Sequence, residues 1–256
     1  PVGSRFVVLA LTALALSGCG IFKRGTPKTP VVGERVAVLA TEQDVAVDPA
    51  TAALPFSLPA PTANTEWAQA GGNAAKSMGH LELGQSLGQA WAVSIGQGGS
   101  LRARLAGAPV VGDGRVYTID TQATVRAFDA QSGATVWATQ FGTDRANRAS
   151  LFGGGVAFDN GRIYATNGLG YVAALDARNG GIIWQVHPTG PLRGSPTVVG
   201  DTLYVITQDN QIYSLKTSDG STNWSQAAAL EIAGIFGSAS PAVGQGTVGA
   251  GFSSGE

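Results

Sequence analysis

Once Cys19 is set aside the sequence has no cysteine, and it has only two histidines, His80 and His187. A disulfide framework and a cysteine-ligated metal site are therefore excluded after Cys19. The two histidines stand apart from each other and from any cluster of ligating residues, so neither catalysis nor metal binding is expected of them. Charge is also missing as a signal: 16 basic and 17 acidic residues are mixed along the chain, for a net −1. Without a basic stripe to track phosphates, nucleic acid is not an expected partner. The stretches Gly96–Gly99 and Gly153–Gly155 are glycine-rich but lack the strand–loop–helix setting and the lysine of a nucleotide loop. Ser195 and Ser240 precede prolines, outside any nucleophile elbow. No stretch after Gly20 carries a helical apolar pattern, which disfavours α/β folds. None of these stretches offers a recognisable catalytic, cofactor or metal site.

Long apolar runs are scarce as well. Phe6–Leu16 follows Arg5 and is shorter than the roughly 20 residues a helix needs to cross a bilayer. A basic start, a short apolar run and small residues make an export signal. It leads into Leu16-Ser17-Gly18-Cys19, which resembles the bacterial lipoprotein signal. That resemblance implies cleavage before Cys19, lipidation (palmitate included) of Cys19, and, with Gly20 rather than Asp next, sorting to the outer membrane. The absence of an initiator Met suggests that a residue or more is missing at this end. Pro27, Pro30, Pro49, Pro55, Pro59 and Pro61 lie in an Ala/Thr/Val-rich stretch that reads as a tether. Residues 1–18 are thus read as a signal peptide, 19–65 as lipidated cysteine and tether, and 66–256 as the folded domain.

What the second half does contain is a tandem repeat. Pro109–Gln140, Val156–His187 and Pro196–Ser225 share one template: an apolar pair, Gly or Asp, then Gly-Arg-apolar-Tyr in its fullest form. A second short strand follows, and a turn of the form DAQSGATVW, DARNGGIIW or KTSDGSTNW closes each copy. Tyr117, Tyr164 and Tyr204 hold one position; Trp137, Trp184 and Trp224 hold another, 47 and 40 residues apart. A period of this length with several strands per unit indicates propeller blades. In the first copy the strands are expected at Ala108–Val111, Arg115–Asp120, Thr124–Asp129 and Thr135–Gln140. Gly133, Gly180 and Gly220 supply the positive φ of the last hairpin, and Asp129 and Asp176 accept backbone bonds there. The recurring Tyr and Trp are expected to pack between neighbouring blades. A fourth copy opens at Pro241 and stops at Glu256, so the chain is read as the front part of a longer propeller, with three to four blades present. The stretch Trp67–Ile95 is an atypical leading segment that could donate an outer strand.

The blade template, the Leu-Ser-Gly-Cys tetrad, the Pro/Ala-rich tether and the opening Trp67-Ala-Gln-Ala-Gly-Gly-Asn73 together resemble the BamB family of outer membrane assembly lipoproteins, in a form similar to alphaproteobacterial members. The resemblance implies an all-β, eight-bladed propeller of PQQ-like repeats, lipid-anchored on the periplasmic face of the outer membrane. It implies a non-catalytic subunit of the β-barrel assembly (BAM) complex. Its partners would be the POTRA domains of the barrel-inserting subunit BamA, other BAM subunits, and unfolded outer membrane proteins. In that family a Leu-Arg-Gly element entering the fourth blade contacts the central subunit. Here the matching register holds Ile235-Phe236-Gly237, without the arginine, while Leu192-Arg193-Gly194 stands one blade earlier. Two alternatives share the blade motif: a quinoprotein (PQQ-dependent) dehydrogenase-like propeller, and a scaffold lipoprotein of another envelope complex.

Overall fold

The computed structural model describes residues 47–101, 103–143, 154–188, 190–230 and 239–256. The chain divides into two compact units, Pro1–Phe56 and Ser57–Glu256. The described part of the first unit holds one short helix, α1 (Pro49–Ala52). Its N-cap is Asp48, whose carboxylate accepts from the Ala50 N–H at 3.0 Å and the Thr51 hydroxyl at 2.8 Å.

The second unit is built of antiparallel sheets. The first repeat comprises β1 (Val110–Gly112), β2 (Arg115–Ile119), β3 (Thr124–Asp129) and β4 (Thr135–Gln140). The second comprises β5 (Gly154–Asp159), β6 (Arg162–Asn167), β7 (Val172–Asp176) and β8 (Ile182–Val186). The third comprises β9 (Thr197–Val199), β10 (Thr202–Ile206), β11 (Gln211–Lys216) and β12 (Thr222–Ala227). A hairpin, β13 (Ala242–Gly244) and β14 (Thr247–Gly249), opens a fourth. Within each repeat the strands lie side by side in chain order, as blades of a PQQ-like propeller do. β1 starts two residues later than its apolar pattern suggests, because Pro109 has no N–H to give to a ladder.

The core lies between blades rather than inside them. One buried cluster joins Tyr117, Val125 and Trp137 of the first repeat to Val156, Phe158 and Leu175 of the second. Another joins Tyr164 and Val172 of the second to Val198, Leu203 and Leu215 of the third. Each sheet therefore depends on its neighbour for burial.

Outer strands carry the device that aims the recurring tryptophan. The pairing of β4 on β3 sets Trp137 opposite Ala127 and Thr135 opposite Phe128, leaving Val136 as an extra residue. Ile183 and Asn223 are extra at the same place in β8 and β12. Such a bulge bends and twists the strand locally. Val136 and Ile183 turn outward, 44% and 46% exposed, while Trp137 swings toward the next blade and is only 8% exposed. Its indole Nε1–H donates to the Ala177 carbonyl at 3.0 Å, and that of Trp184 donates to the Thr217 carbonyl at 2.9 Å. Arg115 and Arg162 reinforce the same two acceptors at 2.6 and 3.0 Å. Tyr117, Tyr164 and Tyr204 lie against the Trp of their own repeat, at centroid distances of 6.0, 6.1 and 6.0 Å.

One position breaks the repeat's chemistry. Opposite Trp137 and Trp184 stand Ala127 and Ala174, but opposite Trp224 stands Ser214, whose buried hydroxyl has no hydrogen-bond partner. A buried unsatisfied hydroxyl costs on the order of 1 kcal/mol or more. Ser214→Ala is therefore expected to stabilise the fold by about 1 kcal/mol, seen as a higher urea midpoint at unchanged slope.

Ahead of the repeats, the segment Trp67–Lys76 crosses the first strand of each repeat in turn. Trp67 exchanges both backbone bonds with Val111 of β1 at 2.8 Å. The Ala68 carbonyl accepts from Phe158 N–H of β5 at 2.7 Å. The Gln69 amide clasps Val198 of β9 through Nε2–H to its carbonyl, 2.8 Å, and Oε1 from its N–H, 3.0 Å. The Ala74 carbonyl accepts from Val243 N–H of β13 at 2.8 Å. At its end Lys76 Nζ donates to Thr197 Oγ1 at 3.0 Å, and that hydroxyl donates to the Pro241 carbonyl at 2.6 Å.

Burial pulls the Lys76 ammonium down from the usual 10.5 to about 8. Below pH 8 the group is charged whether or not the segment is seated, and the desolvation cost stands in full. Between pH 8 and 10.5 the seated form binds fewer protons, so seating strengthens as pH rises. The side chain is partly exposed, so after solvent screening the gain is on the order of 1 kcal/mol. Thermal melts from pH 7 to 10.5 should show this rise in the native chain and a flatter profile in Lys76→Met.

Candidate partner-binding surface

An antiparallel meander has two ends. In each repeat the turns joining first to second and third to fourth strands lie at one end. The second-to-third loop and the crossover to the next blade lie at the other. The Trp67–Lys76 segment touches Val111, Phe158 and Val198, one or two residues before the first turns, and so lies at the hairpin end. Leu192-Arg193-Gly194, on the crossover from β8 to β9, lies at the opposite end.

The triplet is held by its backbone. Arg193 N–H donates to the Ile206 carbonyl at 3.2 Å, and the Arg193 carbonyl accepts from Gly154 N–H at 3.1 Å. The Gly194 carbonyl accepts from Thr166 Oγ1 at 2.9 Å. Leu192 pairs with Thr207 and is fully buried in the core between the second and third repeats. Its side chain positions the crossover and is not available to a partner. Arg193 is half-buried and reaches the wall of a cavity of about 290 Å³. Ile206, Thr207 and Asn210 line that cavity from the third repeat, and Phe252 and Ser253 from beyond β14. Asn210 fixes its floor, donating to the Ala229 carbonyl at 2.8 Å and accepting from the Ser253 hydroxyl at 2.8 Å. Ile235-Phe236-Gly237 and Cys19 lie outside the described residues.

The structural residues of the template meet one another across blades. Gly133, Gly180 and Gly220 have φ of 72°, 74° and 75°. A Cβ on Gly180 would sit 2.6 Å from the Trp137 ring, and one on Gly220 2.9 Å from the Trp184 ring. Gly133 faces Trp91 in the same way at 2.7 Å, and Trp91 Nε1–H donates to the Ala130 carbonyl at 3.0 Å. Trp91 thus takes the position of a repeat tryptophan ahead of the first blade, a role that the atypical leading segment conceals. Its place about one repeat length before Trp137 is the signal in the sequence.

After Trp91 the leading segment is pinned at the crossover end. Burial raises the Asp120 carboxyl, but the Arg126 guanidinium at 2.6 Å and the N–H groups of Thr124, Gln122 and Gln97 outweigh it and hold it below the usual range. Arg126 also donates to the Ile95 carbonyl at 2.5 Å. The two histidines make backbone contacts: His80 Nδ1 lies 2.7 Å from the Pro59 carbonyl, and His187 Nε2 2.8 Å from the Leu169 carbonyl, edge-on to Tyr171. No described helix is long and apolar enough to cross a membrane.

A sequence profile described as outer membrane protein assembly factor BamB matches residues 98–150 and 121–256. No curated protein matches the chain. Among solved structures, a europium-containing methanol dehydrogenase aligns at 24% identity and TM-score 0.53, over 63% of this chain and 31% of its own. The quinohemoprotein alcohol dehydrogenase from Comamonas testosteroni aligns at 22% and 0.53, over 63% and 27%. BamB from Moraxella catarrhalis aligns at 20% and 0.43, over 57% and 42%. The chain thus spans less than half the length of each of these structures. At such identities the two dehydrogenases share its fold.

Proposed function

We propose a function from one premise: this chain belongs to the PQQ-like propeller-repeat family whose profile is described as outer membrane protein assembly factor BamB. On this reading it is a non-catalytic scaffold of the BAM complex on the periplasmic face of the outer membrane. Cys19 carries its lipid anchor, and the POTRA domains of BamA are its main partner. The observation that carries the reading is the profile match, which runs through every repeat. The crossover end supports it physically. Sheet faces are spent on blade packing, whereas crossovers held by backbone bonds form a rigid rim on which a partner can dock with little ordering cost. Arg193 stands on that rim beside a cavity large enough for one partner side chain, and its planar fork suits a carboxylate.

The likeness to methanol dehydrogenase favours a second reading, a quinone-dependent oxidoreductase. The calcium that accompanies such a quinone requires six or more oxygen ligands. Among the described residues no three of His, Cys, Asp and Glu gather to hold a metal ion. The residues described therefore do not fit that group.

The test is affinity purification of the native protein from gently solubilised envelopes, with bound proteins identified by mass spectrometry. BamA is expected in the bound fraction and should fall roughly tenfold with Arg193→Glu, the loss of a contact worth about 1.4 kcal/mol. Other envelope proteins in place of BamA would favour a different scaffold role. Alcohol-dependent dye reduction after adding quinone and calcium would favour the dehydrogenase.

A further inference from the structure

Four backbone N–H groups, one from the first strand of each repeat and of the fourth hairpin, find their acceptors in a single short segment. Val111 donates to the Trp67 carbonyl, Phe158 to the Ala68 carbonyl, Val198 to Gln69 Oε1 and Val243 to the Ala74 carbonyl. In each meander the first strand has its second strand on one side only. Its other edge would present unpaired backbone groups, which are costly wherever water is excluded. Phe158 is 7% exposed, Val198 2% and Gln69 6%, so the two middle contacts are dry, while those at Val111 and Val243 are half-buried.

Gln69 is the pivot. Its side-chain amide presents a donor and an acceptor to Val198, as the backbone of an added strand would. The chain then reverses tightly, Gly72 N–H donating to the Gln69 carbonyl at 2.7 Å. That reversal needs Gly72 at φ 94°, with Met78 packed where a Cβ would stand. Lys76 closes the far end on Thr197, whose hydroxyl reaches the fourth hairpin.

Blades in a repeat protein are coupled chiefly through nearest-neighbour interfaces, and here those interfaces run through the tryptophans of the outer strands. A segment that bonds four first strands in succession adds a different coupling, one that skips neighbours. We propose that Trp67–Lys76 is a clasp: it joins the first strands of the three complete repeats and the fourth hairpin, near their hairpin ends, into one cooperative opening unit. When the clasp lifts, four strand edges are exposed together, while the outer hairpins remain formed.

Amide hydrogen exchange on the whole chain tests this, with Val111, Phe158, Val198 and Val243 as one reporter per repeat. Gln69→Ala removes the pivot, yet touches only Val198 directly. The clasp predicts that all four amides lose protection together by about tenfold or more, while amides of β3 and β7 keep theirs. Gly72→Ala, which strains the reversal without touching the amide, should give the same four-site pattern. Gln69→Met, which keeps the side chain's length but loses both hydrogen bonds, should give it without opening a cavity if the alanine variant does not fold. Loss confined to Val198 would overturn the proposal by showing independent contacts. A uniform loss across every strand would overturn it too, leaving the segment a general stabiliser.

Discussion

Trp137→Ala should cost about 3–5 kcal/mol, the range for deleting a large buried aromatic side chain. The ring is 8% exposed, stands 6.0 Å from Tyr117, and donates to the Ala177 carbonyl of the next repeat. Removing it opens a cavity between the first two blades and takes one donor from Ala177. Arg115 still serves that carbonyl at 2.6 Å, so most of the loss is packing rather than hydrogen bonding. Trp137→Phe, which keeps an aromatic ring but no N–H, should accordingly cost much less than alanine. Trp224 provides the contrast. It holds the same template position but is 43% exposed, and Trp224→Ala should cost under about 1.5 kcal/mol. Urea unfolding of the three variants, followed by circular dichroism, gives the order directly.

Gly180→Ala should be nearly as damaging, on the order of 3 kcal/mol or more, for two separable reasons. The first is the backbone: at φ 74° a side chain costs about 1–2 kcal/mol. The second is the neighbour: the new Cβ would stand 2.6 Å from the Trp137 ring and 2.7 Å from Thr139 Oγ1. Thr139 is itself bonded to the Gly180 carbonyl at 2.8 Å, so neither contact can simply move aside. Gly161→Ala isolates the first reason, with φ 72° and open space where the Cβ would go. That variant should lose about 1 kcal/mol. A difference of 2 kcal/mol or more between the two would measure the overpacking against Trp137 alone.

These two residues also explain why the repeats were legible. A tight hairpin needs a residue at positive φ, and a blade interface needs a large ring over a glycine. Both demands act on residue identity, so Gly180 and Trp137 recur as Gly220 and Trp184. The bulge that aims the ring left no such mark, since Val136, Ile183 and Asn223 share only their place before the Trp. Trp91 was hidden because the rest of its blade template is missing around it. Gln69 could not be found at all: its partner Val198 is 129 residues away, and a backbone partner puts no constraint on the side chain there. The Leu-Arg-Gly motif does not reveal that Leu192, paired with Thr207 on the crossover, fills the core between the second and third repeats.

One repeated interaction joins these blades: the indoles of Trp137 and Trp184 each dock on a carbonyl of the next repeat. Exchange of indole N–H protons, followed by NMR on the chain labelled with ¹⁵N-tryptophan, tests it directly. The Trp91, Trp137 and Trp184 indoles should exchange slowly, while the more exposed Trp224 indole exchanges like a free one. A Trp137 indole proton exchanging as fast as that of Trp224 would contradict the docking, and with it the way these blades are held together.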